Sequence, residues 1–273
     1  MVIVIDDPDD PRVAPFRLSE RGLTSRAQRR DDGGDGLFMA EGDLVVERAL
    51  EAGCIPVMAL VDAKYPPAIV ERLAELIPIY SGGERLRAAI TKLGMPYSVV
   101  ALFQRPPRAT VADLLATANR LVIVEAVDNP VNIGSIARNA LALGWDGLLL
   151  DSTSADPLAR RALRVSMGHS LHLPHARTND VATAIGALTA QGVMVCALTP
   201  AADSLPLDQV PCAQRMAVIV GSERGGITQE AMAASTYRVG IPMQDGVDSL
   251  NVAAATAIAC WQLRSASASA ADR

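Results

Sequence analysis

Apolar and polar residues along this chain follow two alternating rhythms. Short unbroken apolar runs, the length of a buried strand, separate longer stretches whose apolar residues recur three or four apart, as on one helix face. The spacing predicts a helix over 41–52, through Leu44, Val45 and Ala49, and a strand over Val57–Val61. It then predicts a helix over 67–76, a strand over 77–80, a helix over 83–93 and a strand over 97–103. Two prolines in Gln104-Arg105-Pro106-Pro107-Arg108 stop regular structure, and the rhythm then resumes. Strands are expected at 121–126, 147–150, 193–198, 216–220 and 237–241, with helices at 133–143, 157–167 and 250–263. Such alternation predicts an α/β fold, and continuous apolar strands predict a parallel sheet covered on both faces. Ligands then sit beyond the carboxyl ends of the strands.

The expected organisation has five parts. Residues 1–16, acidic and broken by Pro8, Pro11 and Pro15, form a flexible tail. Residues 17–104 form a small α/β domain, 105–118 a linker and 119–264 a second α/β domain; 265–273 are a Ser/Ala-rich disordered tail. A length of 273 residues suits two domains at roughly 150 residues each. The net charge of −5 excludes a uniformly basic coat but leaves room for local patches. Two stand out: Arg17, Arg21, Arg26, Arg29 and Arg30, opposed only by Glu20, and the trio Arg160, Arg161 and Arg164.

Cys54, Cys196, Cys212 and Cys260 show no C-x-x-C spacing and read as buried thiols of a reducing compartment. The N-terminus lacks the basic region of a signal peptide, and the longest largely apolar run, 252–261, is short for a membrane span. A cytoplasmic protein without a membrane partner is expected. His169, His172 and His175 resemble a metal site in spacing alone. On a strand the middle one points away, and Pro174 disfavours a helix that would align them, so no metal is expected.

Three polar, glycine-containing segments each follow a predicted strand. The first runs from Asp128 to Asn139. Gly134 there is expected to open a helix whose unpaired N–H groups face an anion, with Arg138 a turn further in to grip phosphate or carboxylate. A capped helix with a solvated Arg explains that segment equally well. The second, Gly221-Ser222-Glu223-Arg224-Gly225-Gly226, is neither a dinucleotide fingerprint nor a P-loop, which weakens the rival reading of a nicotinamide-dependent oxidoreductase. The third runs from Ile241-Pro242-Met243 to Ser249-Leu250-Asn251-Val252, with Ser249 placed to cap the final helix.

Together, in order, these segments resemble the SpoU (TrmH) family of SPOUT RNA methyltransferases over about residues 119–264. Its N-x-G-x-x-x-R motif matches Asn132, Gly134 and Arg138; G-x-E-x-x-G matches Gly221, Glu223 and Gly226. Its third motif matches Ile241, Pro242, Met243, Ser249, Leu250, Asn251 and Val252, with Ala253 departing from a frequent Ser. The resemblance implies transfer of a methyl group from S-adenosylmethionine to a ribose 2′-hydroxyl of rRNA or, second, tRNA. It implies a SPOUT domain with a trefoil knot, in a homodimer that uses the apolar closing helix.

By carry-over the donor lies against Leu198, Thr199, Gly221, Ile241, Met243 and Leu250. Arg138 binds the phosphate beside the target ribose and activates its hydroxyl; Asn132 and Glu223 orient both; Ser249 and Asn251 bind RNA or fix the loop. The first domain resembles, through Phe38, Glu41 and Gly42, the small RNA-binding domain that precedes the catalytic one in many members. Arg26, Arg29, Arg30, Arg160, Arg161 and Arg164 are the expected RNA contacts. A non-catalytic RNA-binding relative is the alternative from another class.

Overall fold

A computed structural model describes residues 2–24 and 36–264 of the chain. Two compact units divide it: Met1–Arg108 with Pro157–His172, and Ala109–Asp156 with Leu173–Arg273. The second unit is therefore not one continuous segment, as the sequence suggested. Its chain leaves after Asp156 and returns at Leu173.

The first unit is built on a five-stranded sheet in the order β1-β4-β3-β5-β2. The strands are β1 (Val2–Val4), β2 (Leu37–Glu41), β3 (Pro56–Asp62), β4 (Ile79–Gly82) and β5 (Val99–Gln104). β1, β4 and β3 run parallel, and β5 is antiparallel to both β3 and β2. One face packs Phe38 on Phe103, rings stacked 5.4 Å apart, with Val46, Leu73 and Leu163. The other buries Ile5, Val13, Phe16, Leu60, Ile90 and Leu102.

The expected flexible tail is therefore corrected. Val2–Val4 joins the sheet edge, and Val13 and Phe16 are core residues. Pro11 does not oppose this, because it opens a 3-10 turn (Pro11–Arg17) capped by the Asp10 side chain, where a missing N–H costs nothing; Pro15 lies inside that turn.

In the second unit seven parallel strands run in the order β10-β12-β9-β11-β6-β7-β8. They are β6 (Arg120–Val124), β7 (Gly147–Asp151), β8 (His175–Thr178), β9 (Met194–Leu198), β10 (Leu205–Pro206), β11 (Met216–Val220) and β12 (Tyr237–Gly240). Helices Pro130–Ala142 and Val252–Gln262 cover one face, tied by a hydrogen bond from Trp145 Nε1 to the Cys260 carbonyl at 3.0 Å. Helices Val111–Thr117, Val181–Ala190 and Gln229–Ala234 cover the other.

The predicted linker 105–118 thus contains a helix. Thr110 and Asp113 close a reciprocal capping box there, at 3.1 Å and 3.3 Å, a start signal that the preceding prolines masked. From β6 the chain builds outward to β8, then crosses to the far side and places β11 between β9 and β6. That reversal opens a crevice at the carboxyl ends of β6, β11 and β9. Cys54, Cys196 and Cys260 are buried, which pushes the first two thiols up to about 11 and about 12; Cys212 is exposed, against expectation.

Candidate active site

The three motif segments emerge at this crevice. After β6, Asn129 caps the helix Pro130–Ala142 by accepting from Val131 N–H at 2.9 Å, and Pro130 holds its first position. The helix therefore starts four residues before Gly134, which lies inside it. Asn132 falls on the first turn, where it is buried, and Arg138 close to two turns along, where it is exposed.

After β11 the chain makes a tight loop. Gly226 N–H donates to the Ser222 carbonyl at 2.9 Å, and Gly225 N–H to Ser222 Oγ at 3.0 Å. A Cβ on Gly221 would lie 2.1 Å from the Gly226 carbonyl carbon and oxygen, so only glycine fits. After β12 the chain reaches the closing helix Val252–Gln262. Its cap is Asn251, not Ser249: Asn251 Oδ1 accepts from Ala253 N–H at 3.0 Å and Ala254 N–H at 3.3 Å. Ser249 sits in the preceding loop.

Capping fixes which way the Asn251 amide points. With Oδ1 on the helix, Nδ2 donates to Asn132 Oδ1 at 3.1 Å and reaches Glu223 Oε1 at 3.3 Å. Asn132 Nδ2 donates to the same Glu223 oxygen at 2.8 Å. One residue from each motif thus meets in a single network, every donor aimed at an acceptor.

Beside this network lies a cavity of about 440 Å³, within the range of small-molecule sites. All six residues expected to hold the donor line it: Leu198, Thr199, Gly221, Ile241, Met243 and Leu250. Glu223 and Ser249 line it too, whereas Arg138, Asn132 and Asn251 are not among its lining residues. Much of the wall is aliphatic or thioether, and Glu223 and Arg224 are its charged members.

Residues that sequence reasoning missed hold the crevice from behind. Glu125, buried at the end of β6, accepts from Thr228 N–H at 2.8 Å and Thr228 Oγ1 at 2.9 Å, pinning the far end of the glycine loop. Asp151, at the end of β7, accepts from Ala126 N–H at 3.0 Å, where Ala126 turns at φ 56. Burial raises the Asp151 carboxyl, but hydrogen bonds from Ser154, Thr153 and Ala126 outweigh it and hold it below the usual range. The available signal was an acidic residue at the end of the apolar runs of β6 and β7.

The expected RNA contacts divide. Arg26, Arg29 and Arg30 lie outside the described residues. Arg160 and Arg164 are engaged inside the first unit by Glu41, whose side chain is fully buried. Arg160 Nε donates to Glu41 Oε1 at 2.8 Å, and Arg164 lies 3.3 Å from Oε2. Two of the trio therefore anchor the 157–172 excursion, and Arg161 is the exposed member. Among the described residues no group of three or more His, Cys, Asp or Glu is placed to hold a metal ion.

A cavity with three glycines in its wall, at the reversal point of a parallel sheet and beside a polar network, is where an α/β protein binds a small molecule. The match to known proteins narrows this. The model of the SpoU rRNA methylase family matches residues 119–261, and the chain belongs to that family of methyltransferases. An uncharacterised tRNA/rRNA methyltransferase of Mycobacterium bovis is 37% identical over 261 residues, covering 94% of this chain and 89% of the relative. The 23S rRNA (guanosine(2553)-2′-O)-methyltransferase RlmP of Bacillus subtilis is 31% identical over 227 residues, covering 83% and 88%. The crystal structure of an rRNA methyltransferase from Sinorhizobium meliloti matches with a TM-score of 0.78 at 25% identity, covering 96% of each chain.

Proposed function

We propose that this protein transfers the methyl group of S-adenosylmethionine to a ribose 2′-hydroxyl of ribosomal RNA. The carrying observation is the meeting of Asn132, Glu223 and Asn251 at the rim of the glycine-walled cavity. The cavity fits the donor: its aliphatic and thioether walls suit an adenosyl group, and Glu223 offers a carboxylate to a cationic ligand. Gly221 lets backbone approach where a side chain would intrude. When bound, S-adenosylmethionine supplies an electrophilic methyl on a sulfonium, already a good leaving group.

The chain's task is to place the hydroxyl. Positioning alone supplies up to roughly 7–11 kcal/mol of barrier lowering. Arg138, exposed on the first-motif helix, grips the phosphate beside the target ribose bidentately. It stays protonated and is therefore not the base. The 2′-hydroxyl would give its proton to that phosphate or to water as its oxygen replaces sulfur on the methyl carbon, the S–C bond breaking and the neutral thioether leaving. Asn132 and Glu223 orient the ribose, Asn251 holds both from the helix terminus, and Ser249 offers a hydroxyl to the substrate.

The 2′-O-methylation in the name of the B. subtilis relative supports ribose over base, and rRNA over tRNA. On the same reading the first unit binds RNA, with Arg161, Arg26, Arg29 and Arg30 meeting phosphates. The likeness in fold to solved family members supports the trefoil knot. A homodimer through the closing helix is supported by its exposed Ile258 and Trp261. No described helix is long and apolar enough to cross a membrane, and a cytoplasmic site of action fits an rRNA substrate.

Methyl-labelled donor, incubated with separate unmodified rRNA and tRNA transcripts, tests the proposal. Label enters rRNA with wild-type protein and not with Arg138→Ala. Donor and RNA binding without transfer would favour the non-catalytic reading, and full activity of Arg138→Lys would overturn bidentate recognition.

A further inference from the structure

In the first unit β3 ends beside the start of the antiparallel β5, so the loop after one and the loop before the other leave the sheet together. Asp62 N–H donates to the Ser98 carbonyl at 2.8 Å. These loops hold three large side chains out in solvent: Tyr65 is 70% exposed, Met95 84% and Tyr97 40%. The chain has only nine aromatic residues, and Phe16, Phe38, Phe103 and Trp145 are spent on the core.

The loops are not loosely hung. Asp62 Oδ1 accepts from Lys64 N–H at 2.7 Å and Tyr65 N–H at 2.9 Å, while its other oxygen pairs with the buried Arg87. Arg87 in turn donates to the Tyr97 carbonyl and, at 3.2 Å, to the Gly82 carbonyl. One ion pair therefore holds both tyrosine-bearing loops. The Tyr97 ring rests on Gly42, where φ is +90° and a Cβ would come within 3.2 Å of the ring. Lys64 Nζ stands 5.0 Å from the centre of the Tyr65 ring.

Outward aromatic rings on anchored loops, with a cation alongside, are suited to unpaired nucleobases, whose faces stack on aromatics while the cation meets the phosphate. We propose that Tyr65, Met95 and Tyr97 form a platform on which single-stranded bases of the RNA substrate stack, with Lys64 on the adjoining backbone. The inference rests on the RNA-methylating reading above and names the part of the first unit that grips the substrate. It also accounts for Gly42, which seats the Tyr97 ring.

The test uses the full chain with Tyr65→Ala, Tyr97→Ala, the double variant and the two Phe substitutions. Probes are an unmodified 23S rRNA transcript and a fluorescent single-stranded oligoadenylate. Each Ala is expected to weaken binding of both on the order of five- to a hundredfold. KM for the transcript rises while kcat and donor binding stay at wild-type values, and the Phe variants bind as wild type because stacking needs the ring alone. Unchanged affinity in the double Ala variant would overturn the platform, whatever else that surface binds. Phe variants as weak as Ala would overturn stacking. Binding is read without transfer, so an absence of methylation by the wild type would count against the activity and leave this result legible.

Discussion

Gly221→Ala perturbs the proposed donor site at its tightest point. The added methyl would lie 2.1 Å from the carbonyl carbon and oxygen of Gly226 and 2.4 Å from the nitrogen of Ile227. Non-bonded carbon atoms settle at about 3.5–4.0 Å, so the loop must retreat by about 1.5 Å. The atoms in the way are backbone, and no side-chain rotation relieves them. Gly226 is further held by its bond to Ser222 and turns at φ +66°. Forced overpacking costs about 1–3 kcal/mol, enough to lower the melting temperature by several degrees without unfolding the domain. The larger effect falls on the ligand, because Gly221, Gly226 and Ile227 all line the cavity. If the displaced loop withholds a comparable ~1–3 kcal/mol from the bound ligand, calorimetric titration with S-adenosylmethionine should show a Kd raised about five- to a hundredfold. Gly83→Ala, with no atom within 4 Å of the new methyl, should bind as wild type. A Gly221→Ala protein that bound the donor within twofold of wild type would refute the assignment of this loop to the donor site.

Other outcomes follow from the same structure. Asn251→Ala removes both a helix cap and the link to Asn132 and Glu223, so stability should fall by about 1 kcal/mol while kcat falls much further; a loss of stability with kcat intact would contradict the network. Glu41→Ala strands Arg160 and Arg164 around a buried site, and urea denaturation should register about 3 kcal/mol. Burial raises Asp62, but the Tyr65 and Lys64 N–H groups and the Arg87 charge outweigh it, so Asp62, like Asp151, sits below the usual range. Depressed carboxylates stabilise the fold above their unfolded value near pH 3.9, an advantage lost as pH falls through the lower folded values. Urea midpoints should therefore drop steeply below about pH 4, and less steeply in Asp62→Asn; equal slopes would contradict the pairing.

The sequence was most readable where one physical signal dominated. β6, β7, β9 and β11 are continuous apolar runs because both sheet faces are covered, and each was visible as a strand. The residues proposed to hold the donor stand in motifs at strand ends, and all six line one cavity. β8 was missed because His175-Ala-Arg-Thr178 carries little apolar signal and depends on its neighbour β7. β1 was missed because three residues and nearby prolines resemble a tail, whereas long-range pairing with β4 decides the matter. Helix starts were displaced for local reasons: Asn129 with Pro130 outcompeted Gly134, and Asn251 outcompeted Ser249. The excursion of 157–172 could not be read at all, since it depends on Glu41, more than a hundred residues away, drawing in Arg160 and Arg164.

The most direct measurement is nucleoside analysis of unmodified 23S rRNA after incubation with the protein and methyl-labelled S-adenosylmethionine. Transfer to a ribose predicts label in one 2′-O-methylnucleoside and one linkage resistant to alkali, both absent with Arg138→Ala. Label on a base, with every linkage still cleaved by alkali, would contradict the assignment of the cavity and its Asn132–Glu223–Asn251 rim to ribose methylation.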